Sequence, residues 1–301
     1  MIEYLKHSQI NKQKWDASIE NSQNGLVYAL SWYLDCVSPN WDALVLNDYE
    51  AVMPLTWRRK YGIKYIFVPY FTHRLGVFGS KENIEQYSTA FLESIPKSFK
   101  HIHYSFNTHN SLKHNKIKLI PNNLDLLVLN KSYSELQSNY SKNHLKNIRK
   151  AEKHNLKIEE SIEVKEFCND YIEIHTALGK FSKYEGIFEV FKPLCDLIDK
   201  NIKTYCCRVK NDDETNAVIM LVIFKGRAIF HSAASLKGRE NSAQYLLIDH
   251  VIRKFSDTGI ILDFAGSNIK SISYRNKGFG TSSESFHSVF YFRFLDKILN
   301  R

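Results

Sequence analysis

The sequence predicts a mixed α+β chain of two similar units, residues 1–130 and 131–301, each a mostly antiparallel sheet flanked by helices. Three observations predict it. At 301 residues the chain is long for one small domain, and about 150 residues per domain gives two as a prior. The residues are 44% hydrophobic and 13% aromatic, which excludes a disordered polyelectrolyte. Apolar residues recur at helical spacing in some segments and cluster in short β-branched or aromatic runs in others. The order of these segments is alike in both halves.

In the first half, residues 11–23 (NKQKWDASIENSQ) read as a helix and Ser31 to Val37 as a short one. Trp41–Leu46 and Glu50–Trp57 are predicted strands around the turn residues Asn47 and Asp48. Ile63–Val68 is a third. An aromatic, basic loop, PYFTHRLG, is punctuated by Pro69 and Gly76. Ile84, Tyr87, Phe91 and Ile95 place Lys81–Ile95 on an amphipathic helix. Strands follow at His101–Phe106 and Leu124–Leu129.

The second half opens with Ser132-Tyr133-Ser134-Glu135, a capping box. Leu136, Tyr140, Ile148 and Ala151 then share one stripe of a single helix ending near Asn155. Its other face carries Lys142, Lys146, Arg149, Lys150 and Lys153. Leu156–Glu160 is a strand. Val164, Phe167, Tyr171, Ile174 and Leu178 define a helix, and Ile187–Lys200 another, bent or split by Pro193. Lys203–Lys210, Ala217–Lys225 and Ala228–Leu236 form an antiparallel meander. Ser242–Phe255 is a helix and Ile260–Phe264 a buried strand. AGSN and SISYRNKGFG are read as loop, and Phe286–Phe292 as the last strand.

The net charge is +9, from 41 Lys+Arg against 32 Asp+Glu. The excess sits in residues 1–150, with 19 against 12, rather than in 151–301, with 22 against 20. It permits an anionic partner without requiring one. Residues 1–10 carry no secretory signal pattern. The longest apolar run, Ala217 to Phe224, is eight residues, well short of the roughly 20 of a membrane helix. Cys36, Cys168, Cys195, Cys206 and Cys207 are odd in number and include no CxxC pair. No metal site is expected from them, and reduced thiols in the cytoplasm are.

Three stretches carry a family resemblance. SKNHLKNIRKAEKHNLKIEES is a basic helix followed by a strand. AIFHSAASLKGRENSAQYLLIDHVIRKFSDTGIILDFAGS runs strand, loop, helix and strand to an acidic-aromatic-Gly end. YRNKGFGTSSESFHSVFY contains a Phe-Gly pair. In this order they resemble FemAB-type peptidyltransferases and their GNAT acetyltransferase relatives, over most of residues 135–292. The first half fits more loosely, through Met53-Pro54-Leu55 and Pro69-Tyr70. The resemblance implies two tandem GNAT-like domains. It also implies direct transfer of an activated acyl or aminoacyl group to an amine or hydroxyl, without a covalent enzyme intermediate. The donor would be an acyl-CoA or an aminoacyl-tRNA, and the acceptor a small molecule or a cell-envelope precursor; tRNA is thereby among the candidate partners.

Two departures stand out. The family's lysine lies three residues before the Phe of its Phe-Gly pair; here that position is Asn276 and the lysine is Lys277. The pyrophosphate loop, Q/R-x-x-G-x-G/A in ordinary GNAT enzymes, corresponds to Leu236–Ala243 with Gly238 as its one glycine. Lys237, Gly238, Arg239, Asn241 and Ser242 are the candidate donor-binding residues there, at a helix N-terminus.

The catalytic candidates are Lys277, Asp263, Tyr274 and His231. Lys277 would hold a phosphate or an oxyanion, or is a turn lysine beside the two glycines Gly278 and Gly280. Asp263 would be a general base raised by burial, or it caps a loop. Tyr274 and His231 would protonate a leaving group, or are satisfied core residues. Ser267 and Arg149 are substrate-binding candidates. Tyr70, Phe71 and Arg74 would form an acceptor wall, or pack a seam. The remaining readings are a plain acetyl-CoA N-acetyltransferase and a non-catalytic module that binds RNA or an envelope precursor. The sequence leaves the oligomeric state open.

Overall fold

The computed structural model describes residues 1–179, 186–212, 214–238 and 240–293. They form two compact units: Met1–Asn123 with the chain from Ser285 onward, and Leu124–Glu284. The sequence split at 130/131 assigned the segment after 284 to the second half. In the structure this segment pairs with a strand of the first unit.

The first unit contains, in order, β1 (Ile2–Leu5), α1 (Lys12–Asn21), α2 (Ser31–Val37), β2 (Asp42–Leu46), β3 (Ala51–Leu55), β4 (Trp57–Lys60), β5 (Ile63–Ile66), β6 (Phe78–Gly79), α3 (Lys81–Glu93) and β7 (Phe99–Ser105). One sheet runs β1-β2-β3-β6. β5 joins β4 antiparallel and β7 parallel, and the last strand of the chain lies antiparallel to β7. The strand expected over 50–57 is two. Thr56 divides it, because its hydroxyl donates to the Phe67 carbonyl at 2.6 Å, while the Phe67 N–H donates to the Thr56 carbonyl. The chain thereby leaves one sheet for the next. Trp15 anchors α1: it is fully buried, and its indole N–H donates to the Ala29 carbonyl at 2.8 Å.

The second unit begins within β8 (Leu119–Val128). It continues through α4 (Tyr133–Ser138), α5 (Lys142–Lys153), β9 (Lys157–Glu160), α6 (Val164–Ala177), α7 (Ile187–Asn201), β10 (Lys203–Asn211), β11 (Glu214–Phe224), β12 (Arg227–Ser235), α8 (Ala243–Phe255), β13 (Ile261–Asp263) and α9 (Lys270–Lys277), and β14 (Ser282–Phe292) starts in it. Its sheet order is β8-β13-β12-β11-β10-β9. β10 to β12 form the expected antiparallel meander, and β9 lies antiparallel to β10 on its other side. β13 lies parallel to β12 and antiparallel to β8. The mixed, mostly antiparallel sheet flanked by helices is therefore the architecture observed.

The helix expected from Ser132 to Asn155 breaks after the first turns. The Ser132–Glu135 capping box forms as predicted, but α4 ends at Ser138 and Ser141 caps a new helix by accepting from the His144 N–H. The SISYRNK segment, read as loop, is helix α9. α5, α8 and the β10–β13 face share a core of fully buried Ile219, Leu221, Leu247, Val251, Leu262 and Phe279. Truncating one such leucine to alanine costs about 2–5 kcal/mol.

Candidate functional site

The site grows out of the parallel pair. β12 and β13 stay in register from Arg227↔Ile261 to Ile229↔Asp263, where β13 ends. β12 continues to Ser235. Among the described residues no strand pairs with its β13 side beyond Ile229, a position suited to an extended ligand. The opposite edge carries a bulge. Met220 pairs with Ser232 and Leu221 with Phe230, so His231 is the extra residue. A bulge re-aims the backbone at the point where the two strands part.

A cavity of about 730 Å³ opens in the second unit beside the segments that follow these two strands. Such a crevice at the carboxyl ends of parallel strands is a common ligand position in α/β sheets. One wall is α5, through Asn143 and Asn147 at i and i+4. A second is the start of α8, with Gly238, Ser242, Gln244 and Tyr245. The third is α9, with Lys270, Ser271, Ile272, Tyr274 and Arg275. No described lining residue is acidic.

Arg275 is the charge that faces this cavity from a partly buried position. Its guanidinium donates to the Asn276 side-chain oxygen at 3.0 and 3.3 Å, and it makes no ion pair among the described residues. Burial lowers its pKa to about 10, and the nearby Tyr245 phenol opposes that. It is still a cation at neutral pH. A desolvated guanidinium without a carboxylate partner is suited to a phosphate or carboxylate from a ligand. The α8 N-terminus adds partial positive charge. Asn241 accepts from the Ala243 N–H, and the Tyr245 N–H turns back to the Ser242 carbonyl. The Gln244 N–H has no acceptor among the described residues.

Helix α9 is held in place by His144. Its Nδ1 lies 2.8 Å from Ser141 Oγ and its Nε2 2.7 Å from the Arg275 carbonyl. Asn276 is fully buried, with Nδ2 3.4 Å from Ser267 Oγ. Its neighbour therefore takes the outward position.

The expected site residues fall into three groups. Tyr274, Gly238 and Ser242 line the cavity. Lys237 stands next to it but is ion-paired with Glu214. Asn241 is buried and spends its side chain on Asn216 and the α8 cap. Arg239 lies outside the described residues.

The second group stays in the second unit but does not line the cavity. Lys277 is exposed at the end of α9. Asp263 is fully buried and pairs with Arg227 at 2.9 Å, while its other oxygen accepts from the Ala265 N–H. Ser267 is buried and accepts from the Asp125 N–H at 3.0 Å. His231 is buried at the bulge, with Nδ1 3.0 Å from Ser232 Oγ. Arg149 is exposed on α5. The third group is in the first unit: Tyr70 is exposed, Phe71 takes a positive φ and accepts from the Tyr33 hydroxyl at 2.5 Å, and Arg74 is buried.

Sequence reasoning missed Asn143, Asn147, Tyr245 and Arg275. Helical spacing carries the signal for the last: Ser271, Tyr274 and Arg275 are i, i+3 and i+4 on one face. Among the described residues no cluster of three His, Cys, Asp or Glu side chains is placed to hold a metal ion.

No family profile matches the chain, and no curated protein does. Solved structures do. FemX is similar with a TM-score of 0.65 at 13% identity, over 95% of this chain and 96% of that one. A conserved protein of unknown function from Bacteroides thetaiotaomicron gives 0.57 at 9% identity, over 97% and 100%. L-PGS from Bacillus licheniformis gives 0.53 at 10%, over 93% and 91%. The chain thus has the fold of FemX along nearly its whole length, as the three FemAB-like stretches implied.

Proposed function

We propose that the second unit is an acyltransferase, moving an acyl or aminoacyl group from an activated, anionic donor to an amine or hydroxyl. The observation that carries this reading is the parting of β12 from β13 beside the His231 bulge, next to an acid-free cavity containing Arg275. The donor's extended arm would pair with the open edge of β12. Backbone N–H groups at the parting would polarise the acyl carbonyl and stabilise the oxyanion of the tetrahedral intermediate. The nucleophile attacks that carbon, the carbonyl re-forms and the leaving group departs with a proton. Tyr274 and Tyr245 are the phenol donors in the described cavity wall, beside the hydroxyls of Ser242 and Ser271. Arg275 and the Gln244 N–H would hold the donor's phosphate. An acyl-CoA meets these requirements directly, and a charged tRNA is the other donor that the fold likeness to FemX and L-PGS brings into question. The proposed acceptor is a small molecule or an envelope precursor, in the cytoplasm.

One observation favours a second reading. Among the described residues no carboxylate or histidine lines the cavity to serve as a base, as in a non-catalytic module that binds an anion. A thermal-shift screen with acetyl-CoA, longer acyl-CoAs, nucleotide sugars and charged tRNA separates the two. The true donor adds about 2.7 kcal/mol at a hundredfold excess over its Kd. Release of free thiol or free tRNA with an amine acceptor supports transfer. Stabilisation without turnover over an acceptor panel supports the binding module, and no stabilisation by any donor rejects the proposal.

A further inference from the structure

The first unit carries a charged surface that the proposed chemistry does not use. No Asp or Glu occurs between Glu50 and Glu82, while Arg58, Arg59, Lys60 and Lys64 crowd into one hairpin. That hairpin is β4 and β5, joined by Tyr61 and Gly62. None of its four cations has an ion-pair partner among the described residues. The turn itself has an unusual residue choice. Both turn residues take positive φ, +49° at Tyr61 and +76° at Gly62, a two-residue turn that favours Asn-Gly. Tyr61 holds the less favourable position with 91% of its surface exposed, and Ile63 beside it is 49% exposed. Packing within the unit does not account for an amphipathic ring and a branched aliphatic at a water-exposed tip.

We propose that this hairpin docks the protein onto a bilayer surface rich in anionic phospholipid headgroups, with Tyr61 and Ile63 inserted at the interface and the four cations over the headgroups. An exposed tyrosine and aliphatic tip ringed by Arg and Lys matches the chemical layering of that interface. The rival occupant is single-stranded nucleic acid, which needs aromatic faces free for stacking. Two of the rings beside the tip already carry a cation: Lys64 Nζ lies 4.0 Å from the Trp57 ring centre and Arg58 Cζ 4.4 Å from that of Phe67, which leaves Tyr61 as the one well-exposed ring among these three.

The experiment is co-sedimentation of the full chain with vesicles of phosphatidylcholine alone and of phosphatidylcholine mixed with phosphatidylglycerol. Binding is expected to the mixed vesicles and to weaken steeply with salt. Each cation near such a surface is worth about a fivefold change in partitioning, so R58Q/R59Q/K60Q weakens binding by roughly a hundredfold. Y61S/I63S weakens it while keeping the salt dependence. The melting temperature of both variants is the fold control, and it should not move, since these side chains are exposed. Equal binding to both vesicle types, no binding to either, variants that bind like the parent, or capture of single-stranded RNA in place of vesicles would each overturn the proposal.

Discussion

The Nε2 of His144 lies 2.7 Å from the main-chain carbonyl oxygen of Arg275, 131 residues away in the chain. The imidazole thus donates to the backbone of the residue whose guanidinium faces the cavity. Its other nitrogen meets the Ser141 hydroxyl that caps α5. One neutral ring ties the start of α5 to the last turn of α9 and sets where Arg275 stands.

This arrangement has a pH signature. Burial holds His144 below its ordinary 6.5, although the Arg275 carbonyl opposes that. The unfolded chain therefore binds the proton more readily than the folded one. Stability rises with pH across the window below 6.5 and is lost as pH falls through it toward the folded value. Unfolding by denaturant between about pH 7 and pH 5 should show a shallower loss for His144→Gln than for the parent. An identical slope would mean that His144 titrates alike in both states.

Arg275 and Lys277 offer a direct contrast. Arg275→Gln should remove most of the stabilisation given by a phosphate-bearing donor, about 1.5–3 kcal/mol for a charged hydrogen bond. Lys277→Ala should leave it nearly intact, because Lys277 is exposed and outside the cavity wall. Titration calorimetry with the donor found by the screen reads both. The reverse order would return the role to Lys277.

Asp263 should behave as a structural ion. Asp263→Asn leaves the Arg227 guanidinium with a neutral partner at a mostly buried position. The loss of stability should be about 3 kcal/mol. The pH profile of any transfer reaction should stay where it was, and loss of its acid-side limb would instead make Asp263 the base.

Gly278 follows α9, at φ −69°, so it is not there for backbone freedom. A Cβ at this position would lie 1.9 Å from His144 Cε1. Gly278→Ala should therefore cost about 1–3 kcal/mol through displacement of the ring. His144→Ala should recover part of that loss when combined with it, and a double-mutant cycle by thermal melts measures the coupling.

Much of this was legible in the sequence, for reasons particular residues make plain. Ser132 and Glu135 announced a helix start, and both bonds of the box form. The break that follows was hidden. Asn139 and Ser141 continue a polar face without disturbing the stripe of Leu136, Tyr140 and Ile148, and at the break the Ser141 N–H donates to the Gly278 carbonyl, a partner 137 residues away. Asp263 looked like a base because its partner is 36 residues away at the other end of a parallel ladder. Local spacing cannot announce such a pair. α9 was missed because Asn276 is its one buried residue, so no apolar stripe marks it. The cavity wall was legible only in part for the same reason: its asparagines and arginine are polar residues on polar faces.

The bulge at His231 has an effect on side-chain phase. Ala228 and Phe230 reach the core shared with α8, and so does Ala233, with odd and even positions exchanged on either side of one inserted residue. Excising His231 would restore simple alternation and leave every flanking side chain on the face it already occupies. The hydrophobic core and the irregular backbone beside the parting strands are thus separable by a single-codon deletion, which would retain the packing while straightening the strand.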